Sequence, residues 1–267
     1  MKEEQKYYEN DNFWNPKNIQ QEENQRIEET YKFIPQGVHS IADIGCGNGI
    51  FSNYVRKKDK DMEIIGIDNS QEALKYVETQ KYKGDIESLP FKDKEYDLSV
   101  ALEVIEHLSY DKYESVLKEI SRISRKYIII SVPNREKLKN NFIECPKCGT
   151  SFSASFHKRS FNEDSMRKLF EKYDFTCEEI KYIGIRKNYI ILSQLYIFIR
   201  RVLLKRHIKK FFICPVCSFS NKENLLTQKV PSNREVQIRN YIKILKSFWP
   251  NIKEYKWILG VYRRNSE

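Results

Sequence analysis

From residue 41 onward, short apolar runs alternate with segments whose apolar residues recur every three or four positions. IADIG (41–45), EIIGID (63–68), YDLSVAL (96–102), KYIIISVP (126–133), TCEEIKYIGI (176–185) and WILGVYRR (257–264) predict strands. FSNYVRKK (51–58) and QEALKYVE (71–78) predict helices. So does SYDKYESVLKEISRIS, where Tyr113, Val116, Leu117, Ile120 and Ile123 share one face. The β-branched run at 126–133 has the unbroken apolar texture of a parallel strand covered on both sides. In FNEDSMRKLFEKY, Asn162 stands at an N-cap position and Met166, Leu169 and Phe170 point inward. This alternation predicts an α/β fold, a doubly wound, Rossmann-like, mostly parallel sheet of seven strands.

Two stretches break the alternation. The core is expected over 39–185 and 255–267, interrupted by insertions at 135–156 and 186–254 that form a zinc-knuckle and helical cap. Residues 1–38 are rich in Glu, Gln and Lys and read as a polar helical segment anchored by Tyr7, Tyr8, Phe13 and Trp14. Composition adds little here: 40% hydrophobic and 13% aromatic residues suffice for a packed interior and exclude wholesale disorder.

Chemistry enters with DIGCGNG. A strand that ends in Asp43-Ile44-Gly45 and opens a helix after Gly49 is a nucleotide-cofactor turn. Gly45 permits the tight turn, Gly47 lets a ligand approach the main chain, and Gly49 permits close helix packing. Asp68 ends the next strand, where a carboxylate can accept ribose hydroxyls. The spacing is G-x-G-x-G rather than the G-x-G-x-x-G of dinucleotide turns, and an acid precedes it. That acid would repel a diphosphate and attract a sulfonium and an ammonium group, so the turn favours a cationic cofactor.

DIGCGNG, GIDNS and GDIESLPFKDKEYDLSVALEVIEHL follow one another in the order and spacing of the class I S-adenosylmethionine-dependent methyltransferases, which this chain resembles. The nearest branch includes quinone-biosynthesis, small-molecule and glycan enzymes. The likeness runs from Ile41 to Pro133 and resumes over HKRSFNEDSMRKLFEKYDF (157–175). It implies S-adenosylmethionine as cofactor. Asp43, Gly45, Cys46 and Gly47 would line the methionine moiety, with Cys46 packing inside the turn. Asp68 would hold the ribose, with Asn69 beside it. Asp85 would bond the adenine amino group, Ile86 would pack on its ring, and Ala101 to Glu103 would cover the other side.

Methyl transfer from a sulfonium is an in-line displacement in which alignment supplies much of the acceleration, and a base is needed only for some acceptors. Glu103, Glu106, His107 and His157 are the candidate bases; His107, with Glu103 near it, is the expected catalytic residue. The alternative for His107 is a loop-ordering role, and for His157 a structural or metal-ligand role.

Cys145-Pro-Lys-Cys148 and Cys214-Pro-Val-Cys217 each offer two thiolates from one turn, and together they are expected to hold a structural zinc ion. The net charge of +10 is uneven: between Ile180 and Ile213 lie nine Lys or Arg residues and no acid. There Ile191, Leu195, Phe198 and Val202 repeat at helical spacing beside Arg200, Arg201, Lys205, Arg206, Lys209 and Lys210. The readings are a solvated cap helix, a helix lying on anionic lipid through residues 189–210, or a phosphate-tracking surface for RNA. The start of the chain lacks an apolar leader and the longest apolar run, Tyr189–Ile199, is half of the ~20 residues needed to span a bilayer. The expectation is a cytoplasmic protein, with contact at the inner membrane face as a further one. The expected function is methyl transfer to an oxygen, or to nitrogen or carbon, of a small molecule or a glycan or lipid-linked intermediate. The alternatives are a tRNA or rRNA methyltransferase and a non-catalytic binding module on the same fold.

Overall fold

The computed structural model describes residues 8–9, 14–15, 21–153, 155–188, 214, 216–217, 219 and 252–266. The expected helix bearing Ile191, Leu195, Phe198 and Val202, together with its basic cluster, lies outside them, as do Tyr7 and Phe13. The described elements run α1 (Gln21–Tyr31), β1 (Ser40–Ile44), α2 (Ile50–Lys58), β2 (Glu63–Asp68), α3 (Gln71–Leu74), β3 (Gln80–Lys83) and β4 (Tyr96–Leu102). There follow α4 (Tyr110–Ile123), β5 (Ser124–Pro133), β6 (Phe142–Glu144), β7 (Ser151–Ser153), α5 (Glu163–Arg167), β8 (Phe175–Asn188) and β9 (Ile252–Arg264).

Seven strands form one sheet in the order β3-β2-β1-β4-β5-β9-β8. The pairs β1–β2, β1–β4, β2–β3 and β4–β5 are parallel, and β9 runs antiparallel to β5. Chain order reverses between β1 and β4, which makes their carboxyl ends the switch point of an open sheet, where ligands bind. The mostly parallel, Rossmann-like sheet is the one the hydrophobic pattern predicts.

Strand period two explains why β5 carries apolar residues on both faces over Ile128–Val132. Ile128, Ile130 and Val132 join one core with Val116, Leu117 and Ile120 of α4 and with Met166, Phe170 and Tyr262. Ile129 faces the other way, into a core with Ile27 of α1, Phe51 and Val55 of α2, and Leu98, Val100 and Leu259. Residues 128–132 are therefore all buried, on one side or the other.

Three elements differ from expectation. β3 gave no apolar signal because QKYK is a mostly exposed edge strand. The helix expected over 71–78 ends at Leu74, although Ser70 caps it by accepting from the Ala73 N–H (3.1 Å). The helix expected over 161–173 divides into α5 and a 3₁₀ turn at Glu171–Tyr173; Asn162 caps α5, and Asp174 at φ 61° ends the turn.

The chain separates into two compact units. One comprises residues 1–141, 155–184 and 256–267 and contains the large sheet; the other comprises 142–154 and 185–255 and contains the β6–β7 hairpin. Among the described residues no helix is long and apolar enough to cross a membrane.

Phe170 is fully buried, its ring 5.0 Å from that of Tyr262 and 6.3 Å from that of Phe175. Replacing it by alanine is expected to lower stability by about 3–5 kcal/mol, read as a reduced urea midpoint with an unchanged m-value.

Candidate functional site

The turn after β1 is the first part of the site. Gly45 and Gly47 both take positive φ (67° and 54°), a region that costs other residues strain. Space forbids a side chain as well. A Cβ on Gly45 would fall 2.5 Å from Val104, and one on Gly47 would fall 2.6 Å from the Trp14 ring.

Two acids flank this turn. Asp43 is buried and accepts from the Ser52 hydroxyl (2.5 Å). Desolvation pushes its pKa up to about 7, against the pull of that hydrogen bond, and the nearby Asp68 adds to the rise. Asp68, at the end of β2, accepts from the N–H groups of Gly47 and Ser70, each at 2.9 Å. Burial raises its pKa too, and those amides limit the rise. The other positions carried over from the resemblance divide. Cys46 is buried with Leu74 and Val77, its thiol pushed up by burial, and Ala101 lies in the core. Asn69 is exposed, Asp85 pairs with Lys112 (3.0 Å), and Ile86 packs against the core beside it.

A segment near the start of the chain crosses the turn, a feature with no motif to announce it. The Asn48 amide donates to the Trp14 carbonyl (2.9 Å) and the Ser70 hydroxyl to the Tyr8 carbonyl (2.8 Å). Glu9 accepts from the first N–H groups of α3, and the Tyr8 hydroxyl lies 3.3 Å from His107 Nδ1.

The second part is the loop after β4. Glu103 takes φ 61° and its N–H still donates to Ser131 of β5 (2.8 Å), so the chain turns sharply as pairing ends. Its carboxylate accepts from Trp257 Nε1 (2.9 Å) and faces Arg26 at 3.9 Å, while the Arg26 guanidinium lies over the Trp257 ring. Desolvation raises its pKa, opposed first by Arg26 and then by Trp257. Next, Lys158 N–H donates to the Glu106 carbonyl (2.8 Å), and Arg159 donates to the carbonyls of Ile105 (3.1 Å) and Leu108 (2.7 Å) while stacking on Tyr113. This clamp sets His157 beside His107, ring centroids 4.5 Å apart and edge to face. His157 Nδ1 hydrogen-bonds Glu136, which follows β5. Burial holds the His107 pKa down to about 3, so that ring is neutral, and raises that of Glu106, with the charge of Glu103 adding to the rise. Of the candidate bases, Glu106, His107 and His157 thus share one cluster, and Glu103 is tied to Arg26 and Trp257.

The third part lies wholly within the second unit. Cys145 and Cys148 flank the turn that joins β6 to β7, and the Sγ atoms of all four paired cysteines lie within 4.8 Å of one another. Cys145 is 3.6 Å from Cys217, and Cys148 is 3.6 Å from Cys214. A disulfide needs ~2.0 Å. Four thiolates ~2.3 Å from a central zinc stand ~3.8 Å apart, close to the spacing seen. The hydroxyl and N–H of Thr150 hold Cys148 down to about 6, whereas desolvation pushes Cys217 up to about 12.

Residues 42–129 match the family described as a methyltransferase domain. An uncharacterised protein of Methanocaldococcus jannaschii is 36% identical over 102 residues, 37% of this chain and 42% of that protein. A ubiquinone biosynthesis O-methyltransferase of Rickettsia bellii is 35% identical over 105 residues, 36% of this chain and 43% of that enzyme. The chain thus spans less than half the length of these relatives. An S-adenosylmethionine-dependent methyltransferase of Archaeoglobus fulgidus superposes with a TM-score of 0.54 at 18% identity, covering 90% of this chain and 92% of the other. A protein of Pyrococcus horikoshii does so with a TM-score of 0.52 at 23% identity, covering 67% and 93%. These two structures show the shared fold.

Substituting Arg26→Met removes the cation with the largest effect on Glu103 and leaves the weaker influence of Lys256 and His157. The expected loss is roughly 2–3 kcal/mol, reduced from the fully buried case because the Glu103 side chain keeps 24% exposure. The loss shrinks at acid pH as Glu103 takes a proton, which denaturation at pH 5 and pH 8 would show.

Proposed function

We propose, from the premise that this chain carries a class I S-adenosylmethionine-dependent methyltransferase domain, that it transfers the methyl group of S-adenosylmethionine to an acceptor oxygen of a small molecule or a glycan or lipid-linked intermediate. The observation that carries this reading is Asp43 buried beneath a turn whose two glycines exclude side chains, with Asp68 across it. In this reading Asp43 faces the cationic end of the cofactor, and Gly45 and Gly47 let it approach the main chain. Asp68 exchanges amide partners for the ribose hydroxyls, and Asp85, Asn69 and Ile86 serve the adenosine. Oxygen acceptors suit the ubiquinone O-methyltransferase likeness; an (S)-tetrahydroprotoberberine N-methyltransferase of Eschscholzia californica, 31% identical over 78 residues, keeps nitrogen as the second reading. The four paired cysteines hold zinc, which ties together the two chain segments of the second unit.

Asp43 makes cofactor binding pH-dependent. Its native pKa of about 7 stands above the ordinary carboxylate value, so the unliganded native state holds a proton that the unfolded chain has lost. Its contribution to stability therefore falls as pH rises from about 4 to 7. A cationic ligand favours the ionised form, so below pH 7 binding expels this proton and affinity rises with pH up to about 8. Calorimetry in buffers of different ionisation enthalpy should show that release at pH 6 for S-adenosylmethionine. Asp43→Asn should abolish it and weaken binding about tenfold, roughly 1.4 kcal/mol. No heat for either S-adenosylmethionine or adenosylhomocysteine, with the protein folded, would favour a binding module that retains only the fold.

Zinc should copurify at one equivalent per chain by mass spectrometry. Cys145→Ser should lose most of it; full retention would refute the four-thiolate site.

A further inference from the structure

We infer that the four paired cysteines are also a site of reversible oxidation by a peroxide: Cys148 is oxidised, Cys214 closes on it as a disulfide, and the metal leaves while the two knuckles stay joined. The metal release rests on the zinc reading above; the cross-link does not.

The contacts at 3.6 Å run between the knuckles. Cys148 Sγ faces Cys214 Sγ at that distance, and Cys145 Sγ faces Cys217 Sγ. A disulfide at ~2.0 Å asks for an approach of roughly 1.5 Å, which side-chain rotation supplies. The turns that present the thiols are held by their own main chain. Gly149 N–H donates to the Cys145 carbonyl (2.9 Å), Cys145 N–H to the Thr150 carbonyl (2.9 Å) and Cys214 N–H to the Phe219 carbonyl (2.8 Å). None of these bonds involves a metal.

Exposure sets the order of events. Cys148 is exposed and Cys217 half-buried, whereas Cys145 and Cys214 are buried. A redox-responsive thiol needs access to solvent and a second thiol beside it, and Cys148 has both. Its sulfur attacks one oxygen of hydrogen peroxide, the O–O bond breaks, and the departing hydroxide takes a proton from solvent, which leaves a sulfenic acid. The Cys214 sulfur then attacks that of Cys148, the S–O bond breaks, and a second hydroxide leaves as water. Two thiolates have lost two electrons, and one peroxide has become two waters.

A disulfide sulfur is no longer a thiolate, so two of four ligands are gone and a tetrahedral structural site releases its ion. The new bond takes over as the tie. It joins positions 66 apart in sequence, one in segment 142–154 and the other in segment 185–255. Closing so long a loop restricts the unfolded chain, so the second unit stays folded without its ion.

The test treats the full chain, with its copurified metal, with hydrogen peroxide. A colorimetric chelator follows zinc release, and peptide mass mapping after thiol blocking locates the disulfides. One equivalent of zinc should leave as the Cys148–Cys214 bond appears, and dithiothreitol with added zinc should reverse both. In Cys214→Ser the sulfenic acid has no partner thiol, so dimedone should label Cys148 about tenfold more than Cys145. Should that variant fail to fold, Cys217→Ser decides, because it keeps the first pair and should still form the Cys148–Cys214 bond. A first disulfide within one knuckle, or four thiols that stay reduced under peroxide, overturns the inference. A chain that carries no zinc yet forms the Cys148–Cys214 bond supports the cross-link and strikes the zinc reading instead.

Discussion

The register of β1 beside β4, with Asp43 opposite Val100, is the constraint from which the site follows. It brings two carboxyl ends together where chain order reverses within the parallel part of the sheet. The turn after β1 and the loop after β4 must then share a small space, and Val104 against Gly45 is where they touch. A side chain at position 45 would push them apart. The buried run of β5 holds β4 in place from the other side, through the pairs Val100–Ile129 and Ala101–Ile130.

Around that meeting point the protein buries three acids and half-buries a fourth, and each is compensated differently. Asp43 has a serine hydroxyl, Asp68 has backbone amides, Glu103 has a guanidinium and an indole, and the Glu106 carboxylate has no hydrogen-bond partner among the described residues. Water would solvate all four alike; burial makes their differences count, because the charged form of each now depends on what stands next to it. A site so loaded with negative potential suits positively charged ligands and disfavours phosphates.

Much of the large sheet was legible because its strands are continuous apolar runs and its glycine turn has a spacing. β3 was illegible because an exposed edge strand has no apolar face to reveal. Likewise Asp43, Asp68 and the four cysteines stand in local patterns, whereas the partners that define the second cluster are scattered. Glu136 reaches His157 only because Arg135 N–H bonds Phe161 and Lys158 N–H bonds Glu106, contacts made by tertiary packing. Tyr8 and Trp14 could be read as apolar anchors, yet nothing in their spacing says that they reach position 107 or position 47.

The indole over Gly47 has one more implication. The space beside the main chain there is taken by the ring of Trp14, whose carbonyl accepts from the Asn48 amide. A Cβ on Gly47 would meet that ring at 2.6 Å, so the main chain is covered at that spot. Whatever is to reach this stretch of backbone must first displace an aromatic ring that already shields it.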